Sequence, residues 1–98
     1  MYPKGYISRE EEAKIPEFHS HDEARNWFKD KYGDRFMMTG SQDLEEGKVY
    51  FYHLILDEDK YKEFNRKLRE DGHSSDMELM FSYQSVELFS NGRIHLIH

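Results

Sequence analysis

A chain of 98 residues with 20 acidic and 14 basic side chains, six His and no Cys carries a formal charge of −6 at neutral pH. So short a chain supports one core, so a single domain is expected over residues 1–98, with residues 1–18 partly irregular. The missing Cys excludes disulfides, thiolate metal sites and a Cys nucleophile, and the acidic surplus disfavours non-specific binding to nucleic acid or anionic membrane.

Only 37% of the residues are hydrophobic, but seven Phe, seven Tyr and one Trp supply the buriable area. Since each such ring buries roughly 150–250 Å², the core is expected to be aromatic rather than aliphatic. Protonation of all six His would bring the net charge close to zero, in line with a pI near 5.5, so solubility should fall on mild acidification. No apolar run approaches the ~18–20 residues of a membrane span. The stretch MYPKGYISREEEAK has no signal-peptide core, and a cytoplasmic location is expected.

In the first 18 residues, Ser8 and Glu11 have capping-box spacing, so Arg9 to Ala13 could form one turn of helix before Pro16. Tyr2, Tyr6, Ile7, Ile15 and Phe18 are too apolar for a free tail and are expected to dock in part on the domain. Ile15 to Phe18 could form a short edge strand, since Pro16 lacks an amide proton. Ser20 and Glu23 repeat the capping spacing ahead of Ala24, Trp27, Phe28 and Tyr32, which predicts a helix over His21 to Tyr32. Its acids lie at the start and its lysines at the end, as the dipole favours, and Gly33 is placed to end it.

Arg35 to Ser41 reads as a short strand loosened by Gly40, and Gly40 to Gly47 as a polar hairpin turn. Lys48 to Leu56, KVYFYHLIL, is the dominant stretch. Val49, Phe51, His53 and Ile55 alternate with Tyr50, Tyr52, Leu54 and Leu56, so both faces are largely apolar and the strand should be central. Asp57 can cap a second helix with Tyr61, Phe64 and Leu68 on one stripe, stopped at Asp71–Gly72. His73 to Asp76 reads as loop. In Met77 to Phe89 the apolar phase switches from odd (Leu79, Phe81, Tyr83) to even (Val86, Leu88), which predicts a bulge or bend at Gln84–Ser85. Of the registers open to the Ser90–Asn91–Gly92 turn, a three-residue turn pairs Leu88 with Ile94 and Val86 with Leu96. It leaves Glu87 opposite His95 on the outer face.

The predicted fold is α+β, a mostly antiparallel sheet of four to five strands with two helices packed on one face. With Ile15–Phe18 as a strand, the order is that of a ferredoxin-like βαββαβ sandwich plus a C-terminal hairpin strand. Without it, the chain is two consecutive helix–hairpin units.

No motif for catalysis rises above background, so the chain is expected not to be an enzyme and to need no cofactor. The acidic runs Glu10–Glu12, Asp57–Asp59 and Asp43/Glu45/Glu46 sit at helix starts and turns, where solvation and capping explain them. The His pairs 19/21 and 95/98 have no fixed ligand spacing, and no metal residues are assigned, although a His-dependent metal protein is one alternative. Lys62, Arg66 and Arg69 form a basic stripe on the second helix, either a docking face for phosphate or acidic groups or simple dipole complementarity. Tyr50 and Tyr52 would be displayed if both helices covered the other face, unless the N-terminal segment closes it.

The leading expectation is a non-enzymatic protein-interaction module. It would bind a protein partner, or a second copy as a homodimer, through an open sheet face or edge strand. A nucleic-acid-binding regulator using Lys62, Arg66 and Arg69 is the second, with nucleic acid disfavoured by the net charge and no membrane partner expected. In composition alone the chain resembles small proteins of bacteria and their mobile elements.

Overall fold

The computed structural model describes residues 6–72 and 82–97. The elements are α1 (Arg9–Glu12), α2 (His21–Tyr32), a 3₁₀ turn (Gly33–Arg35), β1 (Phe36–Leu44), β2 (Gly47–Ile55), α3 (Glu58–Asp71), β3 (Tyr83–Phe89) and β4 (Ile94–Leu96). The fold is α+β, with one four-stranded antiparallel sheet in the order β1-β2-β3-β4. Sheet order thus follows chain order, and Ile15–Phe18 forms no strand. The ferredoxin-like alternative needs that strand and gives way to two helix–hairpin units, α2-β1-β2 and α3-β3-β4.

The helices start where their caps dictate. The Ser8, Ser20 and Asp57 side chains accept from the backbone N–H groups of Glu11, Glu23 and Lys60 at 3.2, 3.1 and 3.1 Å, each satisfying an otherwise orphaned donor. Within α2, Ala24 and Phe28 are fully buried, one turn apart, and Trp27 and Tyr32 pack beside them. Phe18 lies before the cap, its ring tilted 5.9 Å from Trp27. At Gly72 the chain enters the left-handed conformation that closes α3, with its N–H on the Leu68 carbonyl.

β2 is the interior strand, paired with β1 on one side and β3 on the other. Its even-numbered face, with Tyr52 and Leu54, joins Phe28, Phe36, Val86, Leu88 and Leu96 in the main core under α2. Rings stack through this core from Phe28 to Phe36 at 4.8 Å and on to Tyr52 at 4.4 Å, so the aromatic core expected from composition is present. The N-terminal segment seals the same face. Ile7 is buried, its N–H donating to Gln84 Oε1 at 2.9 Å and its carbonyl accepting from Gln84 Nε2 at 3.1 Å.

The sequence reading expected both helices on one face of the sheet, and the structure places them on opposite faces. Tyr61 and Phe64 of α3 meet His53 and Tyr83, whose side chains leave the sheet on the side opposite Tyr52, Leu54 and Gln84. A strand apolar on both sides needs cover on both, and the two-residue link Leu56–Asp57 turns α3 onto the odd-numbered face. The same arrangement removes the bulge predicted at Gln84–Ser85. β3 pairs with β2 without interruption, Tyr83 going to α3 while Gln84, Val86 and Leu88 go to the α2 core. The loop predicted at His73–Asp76, the Met77–Phe81 part of that strand, and Tyr2 lie outside the described residues.

The β1–β2 hairpin is longer and tighter than predicted. β1 runs through Gly40 to Leu44, which pairs with Gly47, so the turn is Glu45–Glu46 rather than Gly40–Gly47. β3 and β4 pair in the register that buries the apolar residues, Val86 with Leu96, Leu88 with Ile94 and Glu87 with His95.

Candidate interaction surface

The sheet has two edges of different character. β4 is three residues long, and the turn leading into it is packed on the N-terminal segment, Gly92 lying directly against the Phe18 carbonyl. β1 is nine residues long and, among the described residues, pairs only with β2. Phe36 anchors it at 0% exposure, and every residue from Met37 to Leu44 is exposed, including Met37 (43%), Met38 (49%) and Leu44 (42%).

Edge strands are normally blunted with Lys, Pro, inward charge, extreme shortness or a β-bulge, and of these β1 has only the bulge. β1, FMMTGSQDL, has neither Lys nor Pro and one charge, Asp43, which lies 3.9 Å from Lys48. Its one irregularity is at Thr39, which has no partner on β2 and whose hydroxyl donates to the Phe51 carbonyl at 3.3 Å. Before this bulge Met38 is opposite Tyr52 and Met37 opposite His53; after it Ser41 is opposite Tyr50 and Gln42 opposite Val49. Met38 and Ser41 therefore point to the α2 face, and Met37 and Gln42 to the other.

Comparison with protein-family models, curated proteins and solved structures gave no match. The surface must speak for itself.

The sequence-assigned residues are not brought together. Tyr52 is buried under α2 with its hydroxyl 2.8 Å from His21 Nε2, and burial raises its pKa against the opposing pull of Arg25. Tyr50 is half-buried, stacked 3.7 Å from the His21 ring with the Lys48 ammonium 5.6 Å from its centroid. Neither lies on an open face, because α2 and Ile7 close the one they occupy. On α3, the Arg66 guanidinium is held by Glu70 at 2.9 Å and Glu63 at 3.5 Å, while Lys62 and Arg69 flank a shallow groove with Asn65 and Leu68. The stripe is thus a helix surface with one of its three cations already neutralised.

The described histidines are dispersed. His53 stacks on Tyr83 at 3.9 Å with Nδ1 2.9 Å from the Tyr61 hydroxyl, and burial lowers its pKa from 6.5. His95 Nδ1 lies 2.8 Å from Glu87, and His19 lies 3.7 Å from Glu23. Among the described residues no three His, Asp or Glu side chains converge to hold a metal. Among the same residues, no helix is long and apolar enough to cross a membrane.

Sequence reasoning missed Met37, Met38 and Leu44 as surface residues because it read Arg35 to Ser41 as a short strand without assigning it to an edge, and Gly40 to Gly47 as a turn. The available signal was charge: one charged residue in nine, in a chain where 35% are charged.

Proposed function

We propose that this chain is a non-enzymatic, cytoplasmic protein-interaction module that accepts an extended segment of a protein partner as a fifth strand along β1. The carrying observation is the edge itself, nine residues long, paired on one side only among the described residues, exposed from Met37 onward and nearly free of charge. In an antiparallel ladder every second residue turns both its N–H and C=O outward, so such an edge offers about four residues' worth of unpaired backbone. Those groups give affinity, and the side chains that alternate above and below the sheet give selectivity. Met37 and Met38, one on each face, are suited to adaptable apolar contact.

Selection of strand-forming peptides against the purified chain, with bound peptides located by backbone amide shifts, tests the reading. Binders should perturb residues 36–44, and replacement of Met38 and Gln42 by Lys should weaken them at least ~10-fold. Binders that map elsewhere, or no binders, would sink it.

A further inference from the structure

Resting on that reading, we infer that the added strand belongs to a partner that places an arginine opposite Gly40, its guanidinium entering a cavity on the α3 face beside Phe51. The side chains that β1 turns toward this face include Met37, opposite His53, and Gln42, opposite Val49. Gly40, opposite Phe51, stands between them and leaves a gap in the row. A Cβ placed there would meet nothing within 4 Å. Behind the gap lies a cavity of about 370 Å³ that runs from Thr39 and Gly40 past Phe51 and His53 to Ser85 and Glu87 of β3. The gap thus opens at the same edge along which the partner strand pairs, and a side chain opposite Gly40 faces it.

Length and charge select the occupant. A residue paired with Gly40 lies two strand spacings, about 10 Å, from the Phe51 backbone. The stem of an arginine carries its guanidinium across Gly40 to within the ~6 Å at which a cation is attracted to an aromatic ring, and the planar group can lie flat on that ring. Shorter side chains stop over Gly40. Of the residues that line the cavity, Glu87 alone is charged, since burial keeps His53 neutral at neutral pH. His95, 2.8 Å from Glu87, offsets that charge only when protonated. The hairpin edge adds the same sign. Asp34, Asp43, Glu45 and Glu46 outnumber Arg35, whose Nε donates to the Ile55 carbonyl, and Lys48, which lies 3.9 Å from Asp43. A cation is therefore favoured whichever way the partner strand runs, and an acidic side chain is repelled. A neutral aromatic ring would fill the gap but leave Glu87 unanswered.

The full chain is titrated with peptides of nine residues, the length of β1, built of alternating Thr and Val and differing only at the central residue X, and binding is followed by backbone amide shifts. The peptide with X = Arg should bind at least ~10-fold more tightly than that with X = Ala, the scale of one desolvated cation–ring contact, and X = Glu should be the weakest. Glu87→Gln should reduce the preference for Arg. Gly40→Val fills the gap without a clash and suits a strand, so it should abolish the preference while the Ala peptide still binds. Equal affinity of the Arg and Ala peptides, a Lys or Tyr peptide as tight as the Arg one, or a preference that survives Gly40→Val overturns the inference. Shifts at residues 36–44 in that event leave strand addition standing and remove only the arginine; if no peptide moves those residues, both fail.

Discussion

Gln84 shows how one polar side chain can replace a run of strand pairing. Its amide donates to the carbonyls of Ile7 at 3.1 Å and Ile97 at 3.4 Å and accepts the Ile7 N–H, with Gln84 and Ile7 each 1% exposed. Gln84→Ala leaves the Ile7 backbone groups buried without partners. Urea denaturation should show a loss of about 2–4 kcal/mol, with faster amide exchange at Ile7; an unchanged midpoint would mean the segment is held some other way. His53 supplies a pH dependence of known sign. Burial between Tyr61 and Tyr83 lowers its folded pKa below 6.5, so the unfolded state takes up the proton first as the pH falls. Stability from this group is therefore complete above about pH 6.5 and declines below it. In His53→Phe, that part of the decline between neutral and mildly acidic pH should disappear from thermal melts; a decline as steep as in the parent chain would assign it to other groups.

At the scale of elements, the parts written in local chemistry were legible and those set by long-range packing were not. Ser20, Asp57 and Gly72 bound α2 and α3 where the sequence placed them, because a cap is a bond between near neighbours. The β3–β4 register was readable because only one pairing kept Val86, Leu88, Ile94 and Leu96 on one face. The face taken by α3 was not readable, since KVYFYHLIL is apolar on both sides and alternation cannot say which side gets which helix. The candidate site was the least legible part. Tyr50 and Tyr52 looked like a surface only while both helices were assigned to the other face, and the true edge was hidden by a glycine taken for a turn. Turn glycines differ in what they bear. Gly72→Ala, in open space at φ 80°, should cost about 1 kcal/mol. Gly92→Ala, at φ 93° with the Phe18 carbonyl where its Cβ would go, should cost about 3 kcal/mol or more. Equal melting temperatures for the two variants would contradict this.

At the scale of the molecule, the sheet divides the chain's chemistry. The α2 face holds a continuous aromatic and aliphatic core, and the α3 face a smaller cluster around His53, Tyr61, Phe64 and Tyr83. α2 and the N-terminal segment cover one face, α3 covers the His53–Tyr83 end of the other, and among the described residues β1 is the long sheet edge paired with a single strand. The Gln84 amide has a further consequence for how the chain can be cut and rejoined. Because a single carboxamide touches both Ile7 and Ile97, positions 90 residues apart in sequence lie side by side in space. A circularly permuted chain that links them through a short glycine-rich tether and opens between Glu45 and Glu46 should refold with its far-ultraviolet spectrum intact. Connectivity and architecture would then prove separable in this protein.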